Sequence, residues 1–428
     1  MKDFIRINFK KLITNRIFLN SSLISVITVG VGAIDFFYTV FIGRMLGQEQ
    51  YGIYNPLISL MVIAGIPGLA LQMVFSADIS RLIHNREHRA LKDYLKKAFI
   101  ITLATAALII GMLWPALPVL KDYIHIGDNR PFYFLFAMAA MTLLTIPFQS
   151  LIQSREDYNK YIIYKLTATI SKFILGVGFV YFLTGYLGAL SGFLAAICIG
   201  AIYLIGDFYF FAKKKPDLEN SGGFIKSGKI LKSFLNGFLS VFAFQLFIYL
   251  DSILVRHYLP ELSGVYSMVI QFGKASLFIA LAISFVMLPF MSKDRENMAR
   301  SNVKGFLFLL AILVSFCVFL SLISRFLSGV IFAGKFPGME NILPLYAFMF
   351  LPYSLINFLI NYYIISQKLF YSIAIFAGVI MLYFGIMAFH KDLIQVSFVI
   401  GAVGYSVLAV LMADSFLWHK RKKIFNLM

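Results

Sequence analysis

Along this chain, long apolar runs alternate with short polar gaps. Runs of membrane-spanning length predict helices at about residues 17 to 44, 51 to 79, 93 to 120, 131 to 154, 160 to 183 and 186 to 211. A polar stretch from Lys213 to Lys229, with Pro216, Gly222 and Gly223, then reads as a linker. Six more runs predict helices at about 231 to 258, 263 to 291, 304 to 333, 341 to 366, 369 to 389 and 393 to 418. The expected fold class is an all-α integral membrane protein with about twelve transmembrane helices. Its expected organisation is an amphipathic segment 1–16, a first lobe 17–212, a linker 213–230, a second lobe 231–418 and a tail 419–428. In the first segment Phe4, Ile5, Ile7, Phe9, Leu12 and Ile13 interleave with Lys and Arg, as in a helix lying on a membrane surface.

The two halves echo each other where their first helix hands over to the second. Arg44, Glu49, Gly52 and Tyr54 recur in register as Arg256, Glu261, Gly264 and Tyr266, and each segment follows an apolar helix holding one aspartate, Asp35 or Asp251. An even number of spans per half makes this a parallel repeat, with a pseudo-two-fold axis along the membrane normal and a central cavity expected between two six-helix lobes.

Polar residues inside the spans fall in stripes. Ser21, Ser25, Thr28, Gly32, Asp35 and Thr39 share one face of the first helix; Thr142, Thr145, Gln149 and Gln153 share one of the fourth. Ser267, Gln271 and Lys274 share one of the eighth, and Asn357 pairs with Asn361 in the tenth. Such stripes serve either helix-to-helix hydrogen bonding or a wet cavity. Lys172 lies mid-span in the fifth helix, on one face with Lys165 and Thr169, and Lys274 lies about eleven residues into its own span. A central lysine costs about 3 kcal/mol to insert, so each needs a compensating role: an ion pair with Asp35 or Asp251, or a cationic floor for an anionic substrate. Asp35 and Asp251 are candidates for ion pairing, cation coupling or proton exchange. Arg44 and Arg256, at the ends of the same helices, read as interfacial snorkelling residues or as a possible outer gate. Pro67, Pro147, Pro289, Pro344 and Pro352 interrupt spans, and Gly65 and Gly68 flank the first of them, where bending would suit alternating access.

Charge adds the orientation. The formal charge is +18, yet 29 of the 38 Lys and Arg fall in one alternate set of gaps and 7 in the other, with Lys172 and Lys274 inside spans. This is the positive-inside pattern: both termini are expected in the cytoplasm, and nucleic acid is not the expected partner. With 60% hydrophobic residues and a mean hydropathy of +0.83, the solvent is lipid rather than water. Cys198 and Cys317 sit in apolar runs and read as packing residues; no metal-ligand cluster, nucleotide loop or nucleophile elbow is visible, so no cofactor or metal is expected.

Twelve spans in two halves, the early Asp35 followed by Leu46-Gly47, Tyr51-Gly52 and Tyr54, and Tyr249-Leu250-Asp251 leading to Gly264-Val265-Tyr266 resemble the polysaccharide transporter branch of the multidrug/oligosaccharidyl-lipid/polysaccharide superfamily, whose members include O-antigen and teichuronic-acid flippases. Lipid II flippases of that superfamily usually carry two further C-terminal spans; multidrug antiporters share the twelve-helix plan and commonly use acidic cavities. The resemblance implies a MATE-like fold in the cell membrane and outward movement of an undecaprenyl-pyrophosphate-linked oligosaccharide, in contact with the bilayer and other polysaccharide assembly proteins. It implies a substrate site in which Lys172 and Lys274 hold the pyrophosphate beside Gln271, Thr169 and Gln149. A cation-coupled small-molecule exporter and a membrane-embedded glycan polymerase or transferase are the alternatives.

Overall fold

A computed structural model of the protein describes residues 16–183, 185–214, 227–293, 298–365 and 370–425. The expected amphipathic segment, most of the linker and the side chains of Ser21, Ser25, Thr28, Pro289 and Asn361 lie outside the described residues.

Every regular element among the described residues is helical. The first, Arg16–His84, is 69 residues long, more than three times the length needed to cross a bilayer. It divides at Gly47, whose φ of 72° and ψ of −179° no helix contains and which glycine adopts without a Cβ clash. The halves are α1 (16–46) and α2 (48–84). There follow α3 (His88–Tyr123), α4 (Arg130–Ser154), α5 (Tyr158–Leu183), α6 (Tyr186–Lys214), α7 (Ser227–Tyr258) and α8 (Ser263–Lys293). Then come α9 (Met298–Phe326) with a π-helical turn Leu327–Ile331, α10 (Met339–Ile365), α11 (Phe370–Ala388) and α12 (Leu393–Phe425). Divided at Gly47, the described helices number twelve, and they coincide with the apolar runs to within a few residues. α2, α4 and α10 run on through Pro67, Pro147, Pro344 and Pro352, so these prolines are accommodated within continuous helices in this conformation.

Helices α1 to α6 pack chiefly on one another, as do α7 to α12, and the main bridge between the sets is the α1–α2 pair against α7 and α8. The outward surface is what lipid selects: Phe37, Met112, Phe182 and Leu322 are each more than 55% exposed, an arrangement water would penalise.

The connections sort to two ends of the bundle. The turn around Gly47 and the α3–α4, α5–α6, α7–α8, α9–α10 and α11–α12 connections meet at one end. There Gln48 donates to the Glu261 carbonyl, Gly185 lies against Gln50, Lys335 donates to the Arg44 carbonyl, and Tyr258 stacks on His390. Positive charge gathers at the opposite, basic end, where Arg155 and Lys160 pair with Asp207 and Tyr94 donates to Asp78. Near that end Gln72 and Ser76 both donate to Gln153, so the α4 stripe ties α2 to α4.

Candidate functional site

Helix α5 places Lys172 about 21 Å from the Tyr158 end of a 26-residue helix, too deep for its ammonium to reach water at either end. Its Nζ donates to Oδ1 of Asp35 on α1 at 3.0 Å and lies over the rings of Tyr38 and Phe193, 4.7 and 4.4 Å from their centroids. Of the openings left by the sequence, the structure shows the ion pair for this lysine. The pair is not sealed: the side chains are 17% and 37% exposed. Thr169, one turn earlier on α5, is buried beside it, and Lys165, another turn earlier, lies over Tyr161 and Tyr164. Gln149 on α4 is buried and donates within its own helix to Thr145.

The second lobe is built differently. Lys274 is 8% exposed, its Nζ sits 4.1 Å from the centroid of the Tyr249 ring, and it has no hydrogen-bond partner among the described residues. Asp251 does not pair with it. That carboxylate, 3% exposed, accepts from the hydroxyls of Tyr266 (2.7 Å) and Tyr346 (3.3 Å) and from the Ser252 backbone N–H (2.7 Å). Asp35 and Asp251 therefore play different parts: one neutralises a lysine, the other collects neutral donors. The repeat explains why. Arg44 corresponds to Arg256, and on that register Asp251 faces Thr39, one helical turn from Asp35.

Gln271 is part of a seam between the lobes. Its Nε2 donates to Asn55 Oδ1 at 2.6 Å, and Asn55 Nδ2 donates to Ser252 Oγ at 2.9 Å, so one α2 amide links α7 and α8. Towards the end where the connections meet, the two copies of the repeat touch. A Cβ on Gly52 would lie 2.8 Å from the Gly264 nitrogen, and a Cβ on Gly264 would strike the Gln48 carbonyl, so only glycine fits at either position.

Arg256 is not a snorkelling residue. It is 8% exposed and donates to the carbonyls of Ile124 (2.9 Å), His125 (3.2 Å) and Pro260 (3.1 Å) and to Ser263 Oγ (3.1 Å). Its neighbour His257 donates to the Tyr123 carbonyl and stacks on the Tyr123 ring at 3.8 Å. On the same α3–α4 connection, hydrogen bonds from the backbone and side chain of Arg130 hold the Asp128 carboxyl below its usual pKa. Arg44, by contrast, is exposed, and its backbone carbonyl rather than its side chain takes part, accepting from Lys335. The hydrogen bonds seen between the lobes among the described residues lie in this half of the bundle, from the loops down to Asn55 and Gln271. The lobes are thus closed at the Arg256 end. Asn55, Tyr346 and His257 do not stand out in the sequence, since a single polar residue in an apolar run gives no spacing signal; the repeat itself is the available pointer to Gly52, Gly264 and Tyr266.

A family model described as polysaccharide biosynthesis protein matches residues 18–295, well over half of the chain. No curated protein matches the sequence. Among solved structures, the lipid II flippase MurJ in an inward closed conformation superposes with a TM-score of 0.71 at 15% identity, over 92% of this chain and 87% of that one. A multidrug resistance MATE family transporter of the MOP superfamily gives 0.65 at 15% identity in an inward-facing conformation, over 93% and 98%. One in an outward-facing conformation gives 0.59 at 16% identity, over 94% of each chain. These likenesses establish a shared fold, and the sequence match establishes the kinship: the chain belongs to the polysaccharide biosynthesis protein family.

Proposed function

We propose that the protein is a flippase that moves an undecaprenyl-pyrophosphate-linked oligosaccharide, a surface polysaccharide precursor, from the inner to the outer leaflet of the cytoplasmic membrane by alternating access. In this reading the basic end and both termini face the cytoplasm, and the Arg256 end faces outward. The observation that carries it is the pair of mid-membrane lysines, one loosely held by Asp35 and one buried without a hydrogen-bond partner. A cation costing about 3 kcal/mol at that depth is retained where an anion must be received, and a pyrophosphate headgroup is such an anion. The phosphate displaces Asp35 from Lys172 and meets Lys274 from the other lobe. Thr169 lines the same α5 face, while Gln149 and Gln271 become available to sugar or phosphate oxygens when their present bonds to Thr145 and Asn55 open. Arg256 acts as the outer gate and Arg44 flanks it. Family membership and the likeness to a lipid II flippase support transport of a lipid-linked glycan over catalysis, alongside other polysaccharide assembly proteins.

The second reading, a cation-coupled exporter of small molecules, draws on Asp251, a buried carboxylate with no cation in ion-pair range among the described residues. Deleting the gene and complementing it separates the two. The flippase reading expects surface glycan to vanish and lipid-linked precursor to accumulate, with rescue by the intact protein and none by Lys172→Ala at equal abundance. Normal glycan with altered drug sensitivity would sink it.

A further inference from the structure

Helix α5 carries a second cation that the flippase reading does not use. Lys165 is seven residues before Lys172, so the two share a helix face and stand about 10.5 Å apart along the axis, with Lys165 nearer the basic end. Its surroundings differ in kind from those of Lys172. The ammonium lies 5.6 and 5.5 Å from the ring centroids of Tyr161 and Tyr164, and no carboxylate lies in ion-pair range among the described residues. Tyr164 is itself fixed, stacking on Tyr203 of α6 at 6.4 Å. Two aromatic faces orient and partly desolvate an ammonium without cancelling its charge, whereas a carboxylate cancels it. An anion approaching from the basic end therefore meets, at Lys165, a cation with no carboxylate paired to it among the described residues before the ion-paired one at Lys172. The hydrogen bonds seen between the lobes among the described residues lie in the other half of the bundle.

We infer that Lys165, held by Tyr161 and Tyr164, is a separate receiving subsite for the phosphate of a polyprenyl-pyrophosphate lipid, from which the headgroup passes one step along α5 to displace Asp35 from Lys172. The inference rests on the flippase reading. A pyrophosphate diester carries two negative charges, of which Lys165 compensates one on arrival; at Lys172 the headgroup replaces the Asp35 carboxylate as the partner of the same ammonium.

The test uses the full-length protein in lipid nanodiscs, with farnesyl pyrophosphate as probe and inorganic pyrophosphate and farnesol as the other arms. The expected result is binding of farnesyl pyrophosphate that weakens at least tenfold in Lys165→Gln, survives in Lys165→Arg and remains measurable in Lys172→Gln. Thermal melting of each variant is recorded in parallel, and Lys165→Gln is expected to melt within a few degrees of the wild type. Equal binding by wild type and Lys165→Gln would overturn the subsite and leave the flippase reading standing. Failure of the wild-type protein to bind the probe would instead strike the flippase reading itself. Inorganic pyrophosphate binding as tightly as farnesyl pyrophosphate would overturn the assignment to a lipid headgroup.

Discussion

Lys172 and Asp35 make a pair whose members each make sense only with the other present. Removing one leaves the opposite charge at mid-membrane depth, while removing both removes the problem. Lys172→Gln alone should therefore lower the melting temperature more than Lys172→Gln combined with Asp35→Asn. A double variant that melts at or below the lower single one would mean that the two do not couple. The Asp251 cluster gives a graded expectation of the same kind. Tyr266 donates at 2.7 Å and Tyr346 at 3.3 Å to the same oxygen, so Tyr266→Phe should cost more stability than Tyr346→Phe, roughly 2 kcal/mol against roughly 1. Equal losses in chemical denaturation would contradict that ranking. Lys172 could be singled out from sequence because a lysine amid apolar residues is conspicuous, and an ion pair with Asp35 was among its openings. Its partner could not be fixed, because the contact joins residues 137 apart and Asp251 was an equal candidate. The burial of Arg256 was invisible for the same reason: its acceptors Ile124 and His125 lie about 130 residues upstream, on a connection whose position only the folded bundle defines.

The helices themselves were legible, since in lipid every backbone group must be satisfied within its own segment and apolar length alone marks a span. What length does not mark is where helices touch. At Gly52 and Gly264 two backbones cross so closely that a methyl group has no room, and the obstacle is main chain that cannot swing aside. Gly264→Ala should force the Arg256 end apart, as Arg256→Ala should by releasing the α3–α4 connection. Either variant should raise the labelling of a cysteine placed at Ser263 by a membrane-impermeant thiol reagent severalfold over the same cysteine in the wild-type background. Unchanged labelling in both would show that neither contact holds that end closed.

Across the whole molecule, the seam that holds the closed end is made of hydrogen bonds worth about 0.6 kcal/mol each in a membrane setting. Together they bias the lobes by a few kcal/mol, enough to favour one state and small enough for substrate binding to reverse. Gln48 donates directly to the Glu261 carbonyl, so cysteines at these positions should be bridged by a short, reducible thiol-specific cross-linker that traps the closed end. With Cys198 and Cys317 replaced, the cross-linked double variant should lose transport and regain it on reduction. In the proposed flippase reading the charge of the headgroup also bears on direction: an inside-negative potential favours outward movement of an uncompensated negative charge by about 2.3 kcal/mol per 100 mV, a drive that Lys172 and Lys274 would reduce to the extent that they move with the anion.

The most direct measurement is transbilayer movement of a fluorescent polyprenyl-pyrophosphate-linked oligosaccharide in proteoliposomes, comparing the intact protein with Lys172→Gln at equal reconstitution. Rapid movement is expected with the intact protein and a loss of at least tenfold with the variant. Movement at the same rate with both, or none above protein-free vesicles with either, would overturn the flippase reading.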